Sequence, residues 1–289
     1  MALIFRAIAG GLLVVLALTG LEFAEVQNRF DPLVRPGDRY TAPFAHAERL
    51  RYEVYWKPLF LLPAFKAGEL DFRTEETTYQ KRPVYKVMAE VRSSGRLADV
   101  AGLDVRDYFE SIFDRETFRS YRLVKKIREG KRQRDFELLF DYPGDRLQLR
   151  EEDVTVQPAR QLKNLTIPNI DEPLADVVSV FYVGRLRAME TGDKYFINLV
   201  DEGDSKRIEF SVAKTETIKT PIGSFSAIRI NTNGRIFNKG GNLRVWYSTD
   251  ASRIPVKFEA DVAFGKVYGA LIGMDTLHSS RGLVKSAKK

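Results

Sequence analysis

From Leu50 onward the chain keeps a period of two. Leu50, Tyr52, Val54 and Trp56 alternate with Arg51, Glu53, Tyr55 and Lys57. That is the pattern of a strand with one buried face, because successive strand side chains point to opposite sides. The alternation returns in Tyr85-Val87-Ala89-Val91, Phe136-Leu138-Phe140, Tyr195-Ile197-Leu199, Ile208-Phe210-Val212, Leu243-Val245-Tyr247 and the long run Ile254 to Phe264. The joints are short and made of turn formers, such as Glu129-Gly130, Tyr142-Pro143-Gly144-Asp145 and Glu202-Gly203-Asp204. Neighbouring strands therefore pair antiparallel, since parallel strands need a long crossover at each joint. A sheet this long with one apolar face must curl until that face is covered. The expected fold is mainly β: a curved antiparallel sheet or partial β-barrel packing one longer α-helix over about 173–190 and a short helix over about 95–102. The longer helix is read from Leu174, Val177, Val178, Phe181 and Leu186 at near-helical spacing behind Asp171-Glu172-Pro173, and the shorter from Leu97, Val100 and Ala101.

The N-terminus bears on location. Arg6 precedes the uncharged, apolar run Ala7 to Leu21, the basic and apolar regions of a secretory signal. Leu3, Ile4 and Phe5 lengthen it towards the roughly 20 residues that span a bilayer. Residues 1–24 thus read as a signal peptide or N-terminal membrane anchor, 25–47 as a Pro-punctuated extended linker, 48–275 as a single β-rich domain and 276–289 as a basic tail. The expected location is the periplasm, soluble or tethered to the inner membrane. The chain has no Cys and only two His, His46 and His278, which removes disulfides, thiolate nucleophiles and most metal sites. No cofactor or metal is expected. Of the net charge of +7, Arg281, Lys285, Lys288 and Lys289 in the tail supply four units. With no base-reading motif beside it, that charge does not indicate nucleic-acid binding.

Candidate contact residues are of two kinds. Pro58 to Phe65 brings Leu59, Phe60, Leu61, Leu62 and Phe65 together between two prolines and directly after Trp56. This is an apolar tip suited to a membrane or a greasy ligand, or to plugging one end of the barrel. Lys125, Lys126, Arg128, Lys131 and Arg132 surround Glu129-Gly130 and read as a hairpin with a basic tip, solvated or facing anionic lipid. Acid–base chemistry would have to use carboxylates, densest at Asp104, Asp107 and Glu110 and at Glu151, Glu152 and Asp153. On the expected helix Arg185 lies one turn after Phe181, on the apolar stripe, so it should be partly buried against an acidic or carbonyl partner.

Four stretches resemble a known family. Glu48 to Trp56 followed by Ala67-Gly68, Asp176 with Ser179, Tyr182 and Arg185, Thr220-Pro221-Ile222-Gly223-Ser224-Phe225, and the run Trp246 to Val256 containing Asp250, Arg253 and Pro255 are similar to the bacterial exported-protein family of domain of unknown function 3108. The resemblance covers about residues 48–273 and departs from the family at the insertion Pro58 to Phe65. It implies a β-rich exported domain of a Gram-negative-type envelope with no established activity. Asp176, Ser179, Tyr182, Arg185, Gly223, Trp246, Asp250, Arg253 and Pro255 are then expected to serve structure. The resulting expectation is a non-catalytic envelope protein whose curved sheet binds a lipid, an acyl chain or a partner protein. The alternatives are a glycan-processing enzyme with paired carboxylates and a scaffold that binds another envelope protein through a sheet edge.

Overall fold

The computed structural model describes residues 31–44, 47–59, 63–94, 104–170, 173–233, 242–262 and 265–276. Alternating sequence becomes strand almost throughout. In chain order the elements are β1 (Asp31–Pro32), β2 (Ala47–Pro58), β3 (Phe65–Tyr79), β4 (Arg82–Ser93), β5 (Arg106–Asp114), β6 (Ser120–Glu129), β7 (Arg132–Asp141), β8 (Arg146–Asp153), β9 (Arg160–Pro168) and β10 (Leu174–Asp176). There follow helix α1 (Val180–Val183) and β11 (Lys194–Asp201), β12 (Asp204–Thr220), β13 (Gly223–Asn233), β14 (Leu243–Ser248), β15 (Pro255–Val262) and β16 (Gly265–Thr276). All join one sheet. Two meanders, β2 to β9 and β11 to β16, are fused where β16 pairs antiparallel with β2. Only β1 and β10 run parallel, both against β11.

Inward and outward residues follow the period of two. In β2, Glu48, Leu50, Tyr52, Val54 and Trp56 are buried, while their neighbours are less so. Register shifts at Val54/Tyr55, Ile112/Phe113, Val212/Thr215 and Leu271/Gly273 bend the sheet, since each extra residue sharpens the local twist. One continuous core fills the concave side, and a smaller cluster of Val54, Trp56, Ala67, Val105 and Val267 lies towards one pole. The outer face carries ion pairs between adjacent strands, such as Arg49 with Asp71 and Arg122 with Glu110 and Glu137.

The helix expected over 173–190 is not there. Leu174 to Asp176 instead pairs with Asn198 to Val200 as β10, and only the single turn Val180–Val183 is helical. Two local causes end the helix early. The Asp176 carboxylate captures the amides of Val178 and Ser179 and turns the chain sharply after the strand. At Gly184 a Cβ would sit 2.4 Å from the Tyr247 hydroxyl, so the backbone lies flat against that ring. The apolar spacing misleads because this segment is buried on nearly every side, and full burial selects apolar residues whatever the backbone period. The short helix expected over 95–102 lies outside the described residues, as do 1–24.

Residues from Asp31 to Phe44 lie against the domain. Leu33 and Val34 are buried, the Leu33 amide donates to the Phe196 carbonyl, and Phe44 packs on Tyr85, Phe118 and Tyr182. This segment covers the pole where the β3–β4 and β5–β6 turns lie. The opposite pole carries the β2–β3, β4–β5, β6–β7 and β15–β16 turns.

Candidate functional site

The concave side, expected to present an apolar surface, is filled by the protein's own chain from Leu174 to Arg187. Asp176 is fully buried and accepts from the Ser111 hydroxyl at 2.6 Å, the Ser120 hydroxyl at 2.7 Å and the amides of Val178 and Ser179. Burial pushes its carboxyl above the ordinary range, and these donors oppose the shift. Three residues on, the Ser179 hydroxyl accepts from the Asp176 amide, and after three more Tyr182 accepts from the Thr74 hydroxyl at 2.6 Å. Arg185, 1% exposed, forms a two-pronged pair with Glu48 and donates to the Ser252 carbonyl. Its guanidinium also lies over the Phe44 ring. The Asp176-Ser179-Tyr182-Arg185 spacing thus tethers the interior segment to β2, β3, β5 and β6.

The closing motif makes the reciprocal contact. Asp250 accepts from the Ser248 and Ser252 hydroxyls and the amides of Ser252 and Arg253, shaping the β14–β15 turn. Arg253, at φ 44°, donates its Nε to the Arg185 carbonyl. Each arginine therefore grips main chain beside the other. Pro255 offers its carbonyl to the Tyr52 hydroxyl at 2.7 Å. Trp246 is buried on β14, bonding Glu216 through Nε1 with Lys257 over its ring. Gly223, at φ +141°, makes the exposed β12–β13 turn.

The carboxylates proposed for acid–base work face arginines and lysines rather than one another. Asp104 pairs with Arg106, Glu110 with Arg122 and Lys86, Glu152 with Arg150, Glu151 with Lys163, and Asp153 with Arg134 and Arg160. Glu151 and Asp153 are buried on β8 against these cations, whereas Asp107 is buried without an ion pair among the described residues, and burial raises its pKa to about 6 while the Arg128 amide opposes the shift. Among the described residues no group of three or more His, Asp or Glu side chains could hold a metal ion.

The basic stretch divides. Lys125 occupies the inward phase between Leu123 and Ile127 and is buried, bonding Asp201 at 2.8 Å and Glu202 at 3.1 Å on the β11–β12 turn. Burial opposes its charge, yet the two carboxylates outweigh it and raise its pKa. It latches the two meanders across the seam between β9 and β11. Arg128 pairs with Asp135 and Arg132 with Glu129, whereas Lys126 and Lys131 are exposed at the hairpin.

That hairpin stands at the same pole as the apolar tip. The Ser94 amide bonds the Ala67 carbonyl, the Ser93 amide the Val105 carbonyl and the Gly130 amide the Asp104 carbonyl, a chain of contacts linking the β2–β3, β4–β5 and β6–β7 ends. Here Trp56 meets Phe65 edge-on at 5.0 Å, its indole N–H is buried without a partner among the described residues, and Leu59 is 63% exposed. Lys57 and Lys131 are exposed at this pole and form no ion pair among the described residues. Phe60, Leu61 and Leu62 lie outside the described residues. The remaining feature is β9, a sheet edge with Leu162 and Leu165 exposed.

A family model described as protein of unknown function (DUF3108) matches residues 51–271. The chain belongs to this DUF3108 family. No curated protein matches it. Among solved structures, a β-barrel-like protein of domain of unknown function DUF1849 from Brucella abortus superposes with a TM-score of 0.51 at 9% identity, covering 83% of this chain and 100% of its own. That likeness shows the fold alone: a DUF3108 chain adopts a barrel-like sheet. A Bacteroides fragilis protein with a YmcC-like fold, 15% identical, covers 83% of this chain and 100% of its own at a TM-score of 0.28.

Sequence reasoning missed the partners Glu48, Thr74, Ser111, Ser120 and the role of Lys125. A signal existed. Each is a polar residue on the inward phase of its strand, as Lys125 is between Leu123 and Ile127, and a polar group there needs an internal partner.

Proposed function

We propose that this protein is an exported, non-catalytic envelope protein whose hairpin pole engages an anionic lipid surface. The apolar N-terminal run supports export. The observation that carries the lipid reading is the convergence, at one pole, of exposed Leu59 and the Trp56–Phe65 pair with the cations Lys57 and Lys131, which form no ion pair among the described residues. An apolar tip enters the headgroup boundary, and each nearby cation adds about 1 kcal/mol on an anionic surface. Because the interior is occupied by the 174–187 segment, contact is made at the pole rather than inside the sheet.

Flotation with vesicles tests this. The protein should float with phosphatidylglycerol vesicles, less with phosphatidylcholine vesicles, and less at high salt. Leu59→Asp should abolish flotation, and Lys131→Glu should weaken it several-fold. Equal flotation of Leu59→Asp and the parent overturns the reading. A second reading, recruitment of a partner's β-strand, is favoured by the open β9 edge. Leu165→Lys would weaken strand addition and leave flotation unchanged.

A further inference from the structure

At the pole opposite the apolar hairpin, a cleft of about 90 Å³ opens between the interior segment and the β14–β15 turn, lined by Arg187, Ala188, Met189, Ile228, Tyr247 and Arg253 among others. Its charge is unbalanced. Arg185 is satisfied by Glu48, and Arg187 lies 3.6 Å from Asp38. Arg253 forms no ion pair among the described residues, although its Nε and Nη2 are aimed by the carbonyls of Arg185 and Leu186. Of the five N–H donors of its guanidinium these bonds use two. The nearest acid of the turn, Asp250, already takes four donors on one oxygen.

The electrostatics agree with that count. Burial lowers the Arg253 pKa and the Arg185 charge lowers it further, outweighing the attraction of Asp250. An anion beside the guanidinium would offset that loss. Its positive φ, unfavourable for a residue with a Cβ, is held by the Asp250 turn and keeps the side chain over the cleft.

We propose that this cleft binds a small monocarboxylate, its oxygens on Arg253 and Arg187 and its aliphatic part against Met189, Ile228 and Tyr247. A guanidinium fork matches a carboxylate, and an apolar wall beside it selects a short hydrocarbon over inorganic anions. The cleft opens to solvent, so the carboxylate end of a longer acid fits equally.

Isothermal titration of the full chain with butyrate, butanamide and inorganic phosphate tests the site. Butyrate should bind saturably and butanamide should not. Arg253→Gln should weaken butyrate about tenfold or more. Because Arg253 also supports the turn, Ala188→Phe serves as a second variant: it fills the cleft from an exposed position, leaves Arg187 and Arg253 in place, and should weaken butyrate by a similar factor. Undiminished binding in Ala188→Phe, equal binding of butanamide, or tighter binding of phosphate than of butyrate overturns the assignment, as does no saturable binding of butyrate.

Discussion

Arg185 and Glu48 show what a single inward-facing charge demands. Both are buried, on elements far apart in sequence, and neither has water as a substitute for the other. Removing one partner strands a charge in the core, which costs about 3–5 kcal/mol, whereas removing both with apolar replacements is far milder. Urea denaturation should therefore find Arg185→Met and Glu48→Leu each strongly destabilised and the double variant partly restored. Additive losses would show that the pair does not act as a unit. Asp107 gives the pH counterpart. Its folded pKa is raised to about 6, above the ordinary value near 4. The folded state then holds a proton that the unfolded state releases, so the group's contribution is full below about pH 4 and is lost as pH rises through about 6. Relative to Asp107→Asn, the parent should lose stability across that window, measured by denaturation midpoints at stepped pH; a constant difference would contradict it.

The interior segment from Leu174 to Arg187 is the element on which reading the sequence and reading the structure part. The strands were legible because half-burial imposes a period, and β2 alternates just as its residues do. The interior segment was not, because a chain packed against β11 on one side and wrapped by β2, β3, β5 and β6 on the others carries no polar face to set a phase. The polar residues of the site were legible as a motif, Asp176 to Arg185 at steps of three, but not as contacts, since spacing names no partner across the sheet. If Asp176 anchors the whole segment, Asp176→Ala leaves the amides of Val178 and Ser179 and the Ser111 hydroxyl without this acceptor, while the Ser120 hydroxyl keeps the Ser179 hydroxyl. Each buried unsatisfied group costs about 1–3 kcal/mol. Hydrogen exchange should then show amides from Tyr182 to Leu186 losing protection together while the β3–β4 ladder keeps its own. Protection lost evenly across both regions would deny the segment this independence.

For the molecule as a whole, the two poles differ in character. One carries exposed Leu59 beside the Trp56–Phe65 pair, and the other is covered by the connector, whose Leu33 and Val34 are 1% and 6% exposed. Fully burying a side chain of that size stabilises by about 1.5–3 kcal/mol. A chain beginning at Asp31 should keep its thermal midpoint, and one beginning at Arg35 should lose several degrees; equal midpoints would show that the connector adds nothing. The ladder joining β16 to β2 matters in another way. Residues 48–58 pair with residues 265–276, and β1 pairs with β11. A chain emerging N-terminus first can form its first meander early, but one edge of β2 stays bare until the last strand arrives. Loop-closure entropy for so distant a pairing is paid only at the end. Assembly is therefore a race between the arrival of the final strand and the capture of that waiting edge by another chain.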